Sequence, residues 1–358
     1  MTPLRPITII GGGLAGLTLG IGLRQRGVPV TIWEAGHYPR HRVCGEFISG
    51  RGQQSLRRLG LLEPVTRAGA RPANTAAFYS SRRAYPSRAL PEPALCLSRF
   101  VLDALLAERF RELGGGLREG MRWPGKEFDE GMVRANGRRL QPVEKGWRWF
   151  GLKAHARKVE LAADLEMHLS AHGYVGLCRL SGGEVNVCGL FRRRAGEEKG
   201  RDSNAEWQAG NSPDGPGRLR GEPGSLLRQR VGTADWSQNS FCAVAGLSLS
   251  PRAAAQTDEW SIGDALTMIA PVTGNGMSLA FESAELALEP LTAYARGELD
   301  WSAARRRMAQ KCDAIFQGRL RWASRLQRAL FQAPTRAVLL PLATRHQLIW
   351  DLVFRLTR

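Results

Sequence analysis

Ile7-Thr8-Ile9-Ile10-Gly11-Gly12-Gly13-Leu14-Ala15-Gly16, near the start of the chain, is the stretch whose reading decides the fold. Its first four residues are β-branched and mostly apolar, the composition of a short buried strand. Leu17 to Arg26 is compatible with a helix and stops at Gly27, and Val28-Pro29-Val30-Thr31-Ile32-Trp33 is a second β run closing with Glu34. Strand, G-x-G-x-x-G, helix, strand and acid thus follow in one unit. Gly11 permits the tight turn, Gly13 lets the backbone approach a pyrophosphate, and Gly16 allows close helix–strand packing. The helix N-terminus then offers free N–H groups and a positive dipole end to phosphates. Glu34 is placed to accept from a ribose hydroxyl and repels a 2′-phosphate, which points to FAD or NAD and away from NADP.

Outward from that unit, 358 residues suggest two domains, at roughly 150 residues each. A hydrophobic fraction of 43% with 23% charged residues excludes a disordered or fibrous chain. Lys+Arg number 51 against 33 Asp+Glu, a net charge of +18 that is nearly all arginine and spread along the chain. A coding bias explains this, as does attraction to phosphates or anionic lipid. No aromatic-basic repeat or nucleic-acid reader motif accompanies it, so no nucleic-acid partner is expected. No apolar run is long enough to span a membrane. Met1 to Ile10 lacks the apolar core and cleavage site of a signal peptide. Cys44, Cys96, Cys178, Cys188, Cys242 and Cys312 include no C-x-x-C pair, so zinc is not expected and the reading is of a reduced, cytoplasmic protein. Cys178 and Cys188 flank the turn Gly182-Gly183; a two-residue loop there pairs Cys178 with Val187 and points the two thiols to opposite faces.

Two later segments separate FAD from NAD. Trp260-Ser261-Ile262-Gly263-Asp264-Ala265 reads as a strand ending in Gly-Asp, and Ala270-Pro271-Val272-Thr273-Gly274-Asn275-Gly276-Met277 feeds a helix from Ser278 to about Ala295. An acid and a glycine-rich loop before a second helix N-terminus make a second polar cradle. FAD needs one there, because its ribityl chain and isoalloxazine extend past the first dipole.

With Glu34, these segments resemble the FAD-dependent oxidoreductases of the para-hydroxybenzoate hydroxylase fold, in particular the branch of geranylgeranyl reductases and related monooxygenases. Arg42-Val43-Cys44-Gly45-Glu46 resembles that branch's Cys-Gly stretch beside the flavin, and Ser98-Arg99-Phe100-Val101-Leu102-Asp103 its Arg-x-x-x-Asp helix start. The resemblance implies an α/β (α+β) fold: a Rossmann-like FAD-binding domain from residues 1–75, 96–140 and 255–300, a β-sheet substrate domain from 76–95 and 141–254, and C-terminal helices over 301–358. Asp264 would bind the ribityl or pyrophosphate portion, and the Gly274–Met277 amides would face the pyrimidine edge of the flavin. The expected cofactor contacts are Gly11, Gly13, Leu14, Ala15, Gly16, Glu34, Ala35, Arg42, Cys44, Gly45, Arg99, Gly263, Asp264, Pro271, Gly274, Asn275, Gly276 and Met277. Arg99 and Asp103 also read as an i,i+4 pair on the exposed side of an amphipathic helix. Cys44 reads either as a buried structural thiol or as part of the cavity wall.

The chain departs from its relatives at Arg138 to Gly146, which lacks their Asp-Gly motif and leaves the electron donor open between NAD(P)H and a separate reductase. Trp147 and Trp149 are not followed by the Ile-Pro of flavin halogenases. From Trp147 to Leu249 the pattern is β-rich: Leu161 to Leu169, Tyr174 to Leu180 and Val185 to Phe191 alternate. Gly176, Cys178, Leu180, Val185, Val187 and Phe191 are expected on one hairpin face, with Arg179, Glu184 and Asn186 on the other. The His168/His172 pair reads as incidental. Gly196 to Gly224 reads as a flexible insertion. After Asp300 a one-sided basic helix runs to Pro334 and an apolar-basic segment follows, capping the FAD domain or resting peripherally on an anionic membrane. The expected function is an FAD-dependent monooxygenase of an apolar or aromatic, lipid- or polyketide-like molecule of secondary metabolism, in which reduced flavin forms a peroxide at C4a. The alternatives are a flavin reductase of C=C bonds in an isoprenoid-like substrate, or a basic membrane- or nucleic-acid-binding protein on a degenerate flavin fold. No catalytic side chain is indicated.

Overall fold

The computed structural model describes residues 3–358 apart from 126, 139, 142 and 197–216. Two sheets carry the architecture. The first is parallel and four-stranded, built from β1 (Ile7–Ile10), β2 (Val30–Trp33), β6 (Gly116–Arg118) and β7 (Met132–Arg134) in the order β6-β2-β1-β7. The second has eight strands in the order β12-β8-β11-β10-β9-β4-β5-β3. These are β3 (Phe47–Ile48), β4 (Arg71–Ser80), β5 (Arg88–Cys96), β8 (Trp147–Arg157), β9 (Leu165–Leu169), β10 (Gly173–Arg179), β11 (Val185–Arg194) and β12 (Asp235–Ala245). They pair antiparallel except where β4 runs parallel to β9. The division expected at residues 75/76 falls inside β4, and Phe47–Ile48 already belongs to the second sheet.

Nine helices are described: α1 (Leu14–Arg24), α2 (Gly50–Arg58), α3 (Leu62–Arg67), α4 (Arg99–Glu112), α5 (Leu226–Arg230), α6 (Gly276–Ala295), α7 (Trp301–Phe331), α8 (Ala333–Arg345) and α9 (Gln347–Leu356). The parallel sheet is buried on both faces, as βαβ crossovers require. Ile7, Ile9 and Ile32 pack into one core with Leu17, Phe110, Phe281 and Leu291 from α1, α4 and α6. The Trp260–Ile262 run extends this sheet only by a single bridge, Arg134 to Ser261.

The β10–β11 hairpin corrects the expected register by one residue. Gly182 and Gly183 both adopt positive φ, 65° and 75°, so the turn takes in Ser181 and Glu184 as well. Cys178 therefore pairs with Asn186 and Gly176 with Cys188. All four side-chain positions share one face, and the two cysteines lie on the same side instead of opposite ones. Val175, Leu177, Val185, Val187 and Phe191 form the other face, a separate apolar core on the back of the sheet. Residues 161–164 precede β9 outside any strand.

Most of the expected insertion, 197–216, lies outside the described residues. Its described end is part of the fold: Gly217–Arg220 is a 3-10 turn whose Leu219 is wholly buried in the back core.

The C-terminal helices do more than cap the first domain. Asp300 caps α7 by accepting the Ala303 N–H at 2.7 Å, and the first turns of α7 bury Ala304, Met308 and Cys312 against the parallel-sheet core. Its last turn buries Leu330 and Phe331 against the second sheet with Tyr174 and Leu190. Midway, Arg319 makes a buried two-pronged ion pair with Glu282 of α6, at 2.7 and 2.8 Å.

Candidate active site

At the end of β1 the chain must turn without a side chain. Gly11 has φ +115°, and a Cβ there would lie 2.4 Å from the Ala135 carbonyl oxygen. Gly16 packs its α-carbon on the Gly11 carbonyl oxygen, 2.0 Å from where a Cβ would sit. Gly13 differs, since a Cβ there meets no atom within 4 Å and would project into a cavity of about 980 Å3. That volume is at the upper end of the ~300–1,000 Å3 typical of small-ligand pockets. Gly11, Leu14, Ala15 and Ala35 line the same end of it.

Glu34, at the tip of β2, is 5% exposed. It accepts the Gly12 N–H at 2.9 Å and the Gly36 N–H at 2.8 Å, and pairs with Arg40 at 2.6 Å. Burial pushes its carboxyl up, but the Gly36 N–H and the Arg40 guanidinium outweigh this and hold it below the usual carboxylate range. Arg40, Arg42, Arg122, Arg134 and Arg138 surround this end of the cavity, a positive field suited to a pyrophosphate.

The second cradle stands beside the first. Gly263, Asp264, Pro271, Gly274, Gly276 and Met277 all line the cavity. Burial raises the Asp264 carboxyl while the Arg99 and Arg138 charges oppose it. Gly274 ends a short 3-10 turn at φ +67°, and a Cβ there would collide with the Phe47 ring at 2.0 Å. Gly276, the first residue of α6, has open cavity in front of its missing Cβ. The Asn275 side chain turns away instead, donating to the Thr357 carbonyl at 2.7 Å and tying the C-terminal helix to this loop. Of the expected contacts, Gly16 and Asn275 are outside the cavity wall and the rest are in it.

Arg99 begins α4 and grips Asp103 with two bonds of 2.6 and 2.7 Å. The pair is buried, with Asp103 wholly so, and does not lie on an exposed helix side. Arg99 faces the cavity, as do Cys44 and Gly45, and burial raises the Cys44 thiol pKa. Beyond them the wall becomes apolar: Phe78, Met167, Leu190 and Val244 from the second sheet face Leu326, Leu340 and Trp350 from α7, α8 and α9. Trp350 is fixed by its indole N–H to the Ala89 carbonyl at 2.9 Å.

Residues 5–145 match the FAD binding domain family. No curated protein matches the chain by sequence. Three solved structures share its architecture over nearly the whole chain. The flavin-dependent brominase Bmp2 aligns with TM-score 0.74 at 20% identity, covering 98% of this chain and 92% of that one. The p-nitrophenol 4-monooxygenase PnpA from Pseudomonas putida DLL-E4 aligns with TM-score 0.76 at 14% identity, covering 99% and 98%. PqsL of P. aeruginosa, in complex with 2-aminobenzoylacetate, aligns with TM-score 0.68 at 16% identity, covering 92% and 97%. The chain has the para-hydroxybenzoate hydroxylase fold, with an FAD binding domain over residues 5–145.

The cofactor fits the residues present. Gly13 and Gly276 stand at the two helix N-termini in the cavity wall, and a Cβ at either would meet no protein atom within 4 Å, so the backbone at both is open to a ligand. FAD held there would have its ribose at Glu34, its phosphates at the α1 N-terminus and its ring system at the Gly274–Met277 loop.

Sequence reasoning missed a group of buried polar residues next to Cys44. Glu46 is wholly buried and has φ +59°, a left-handed backbone rare for a non-glycine residue. Its carboxylate meets His155 Nε2 at 2.6 Å, Lys153 Nζ at 3.3 Å and the Arg99 N–H at 3.0 Å. Lys153, also wholly buried, bonds His41 Nδ1 at 2.8 Å. Lys153 and His155 are two apart on β8, and this is the sequence signal: alternate positions on a strand share a face. What the sequence could not show is that Glu46 and His41 close over that face. His168, by contrast, bonds Glu166 at 2.9 Å and stacks on Tyr79, fixing Arg230 of α5 to the sheet. His172 takes no part in it.

Proposed function

We propose that the flavoprotein is an FAD-dependent monooxygenase acting on an apolar or aromatic small molecule. The observation that carries this reading is one continuous cavity, which runs from the two glycine cradles to an apolar chamber walled by the second sheet and α7–α9. When bound, FAD supplies the capacity to accept reducing equivalents and pass them to dioxygen. The protein's part is to bind, orient and keep dry. Glu34, the α1 N-terminus and the Gly274–Met277 backbone hold the cofactor in place, and the Gly276 and Met277 N–H groups are disposed to stabilise negative charge at its pyrimidine edge. Trp350, Leu340 and Leu326 exclude water from the chamber where substrate would lie. The apolar chamber suits a substrate with aromatic or isoprenoid carbon. No helix among the described residues is long and apolar enough to cross a membrane, so the proposed route of such a substrate is from solvent or from a membrane surface beside the exposed Leu348 and Leu352 of α9. Electrons come from NAD(P)H or a separate reductase.

The test loads the protein with FAD, reduces it with light under anaerobic conditions and mixes it with 18O2 and a panel of apolar aromatic and isoprenoid compounds. A monooxygenase gives a product carrying one labelled oxygen. A product that gains two hydrogens under anaerobic conditions and no label supports the C=C reductase and overturns the monooxygenase reading.

A further inference from the structure

We propose that Glu46, with Lys153, His41 and His155, forms a proton path that connects the flavin cavity to bulk solvent at Glu184. The proposal rests on the chain binding FAD and extends that reading to how protons reach the flavin cavity. His41 and Glu46 stand in the cavity wall. From His41 Nδ1 the contacts run to Lys153 Nζ at 2.8 Å, on to one Glu46 oxygen at 3.3 Å, and from the other Glu46 oxygen to His155 Nε2 at 2.6 Å. The far ring nitrogen, His155 Nδ1, is 3.5 Å from the Glu184 carboxylate, which is 31% exposed. A histidine with one nitrogen on a buried carboxylate and the other on a surface carboxylate can accept a proton at one side and release it at the other.

Three features favour proton transfer over a purely structural knot. Burying a lysine and a glutamate completely costs more in lost hydration than a well-packed apolar pair of similar size, so the charges are retained against stability. Glu46 is held at φ +59° to present its carboxylate inward, and strain of this kind concentrates at functional positions. The cluster is also continuous, because Lys153 bridges His41 at 2.8 Å and Glu46 at 3.3 Å. Burial, with the neighbouring Lys153 and His155 charges, pushes the His41 pKa down to about 4. Its imidazole is therefore neutral at ordinary pH and accepts from Lys153. Arg99, Cys44, Cys178, Cys188 and Cys242 are the other titratable groups facing Glu46, and burial drives all four thiols up, out of the path.

Reoxidation of the reduced, FAD-loaded protein by dioxygen consumes one proton per flavin and releases hydrogen peroxide: the reduced anionic flavin passes two electrons and its one proton to O2, and a second proton comes from the medium. Stopped-flow mixing in weak buffer with a pH-indicator dye reads the proton, and flavin absorbance reads the electrons. In the parent protein the two signals are expected to move together. In His155→Ala the dye signal should lag at least tenfold, and added imidazole should restore it; in Glu184→Gln, at the accessible end, it should lag at least threefold with FAD affinity and Tm unchanged. Dye uptake in step with the flavin in Glu184→Gln, or a His155→Ala protein that keeps parental uptake, overturns the path. A parent protein that binds no FAD overturns the cofactor reading instead.

Discussion

Gly274 and Gly276 are two residues apart and answer to different constraints. Gly274 is bound by the protein itself, through its left-handed φ and the Phe47 ring. Gly276 is bound only by what occupies the cavity. Replacing Gly276 by Val is therefore expected to leave Tm within a degree or two while weakening FAD binding, by flavin fluorescence titration. Gly274→Val should instead lower the yield of folded protein, because backbone and Phe47 must both move. At Glu34, exchange for Arg removes charge-assisted bonds to two backbone N–H groups and the acceptor for the ribose, so FAD affinity should fall by about 10- to 100-fold, from ~1.5–3 kcal/mol for such bonds. Glu46 gives a pH prediction. Burial raises its carboxyl, but the His155 hydrogen bond and the Lys153 charge hold it below 4.5 in the folded chain. Its contribution is complete above that value and is lost as pH falls through the lower, folded value. Thermal melts from pH 7 to pH 3 should show a steep acid limb in the parent protein and a shallower one in Glu46→Gln.

Among the elements, α6 and α7 are joined by the buried Arg319–Glu282 pair, while Glu289 bridges Arg307 and Lys311 at the exposed edge of the same seam. Removing one partner strands the other in the seam. Arg319→Leu is expected to cost about 3–5 kcal/mol, and the double variant with Glu282→Leu should recover most of it. Urea unfolding of the three proteins measures the difference, and a double variant as unstable as Arg319→Leu would show that the pair itself, not the stranded charge, carries the energy. The hairpin teaches a related lesson. Alternation in Tyr174–Leu180 and Val185–Phe191 specified two strands, but the register depended on whether two or more residues formed the turn, and one residue decides which side chains face the cavity.

For the whole molecule, the decisive fact is that the last three helices close the chamber. Trp350 is 7% exposed and hangs from the Ala89 carbonyl, with Phe78 edge-on at 5.8 Å. Trp350→Ala should lower stability by about 3–5 kcal/mol, as large-to-small changes at buried sites do, and leave FAD affinity within twofold, since the cofactor cradles belong to other elements. An FAD affinity that falls with stability would mean that the tail supports the cradles too, through the Asn275–Thr357 bond. The +18 charge finds part of its use here as well: Arg40, Arg42, Arg122, Arg134 and Arg138 gather at the dinucleotide end, while many others lie on exposed helix faces.

The cofactor and the fold were legible in the chain because each cradle is a local object. Ile7 to Glu34 and Gly263 to Met277 are short runs in which glycines, an acid and a helix start must follow in fixed order, so sequence order and spatial order coincide. The Arg99–Asp103 pair was legible for the same reason, although not its burial, which depends on what α4 packs against. The Glu46 cluster was not legible. Its members come from two segments, residues 41–46 and 153–155, with Glu184 beyond; strand alternation puts Lys153 and His155 on one face, but nothing near them in sequence predicts that Glu46 and His41 close over it. The same holds for the chamber. Leu326, Leu340 and Trp350 are ordinary apolar positions of basic helices until the second sheet is brought opposite them. Local patterns fix backbone conformation through sterics and hydrogen bonding, whereas a cavity and a buried charge cluster are made by contacts between segments far apart in the chain, and these exist only once the whole chain has packed.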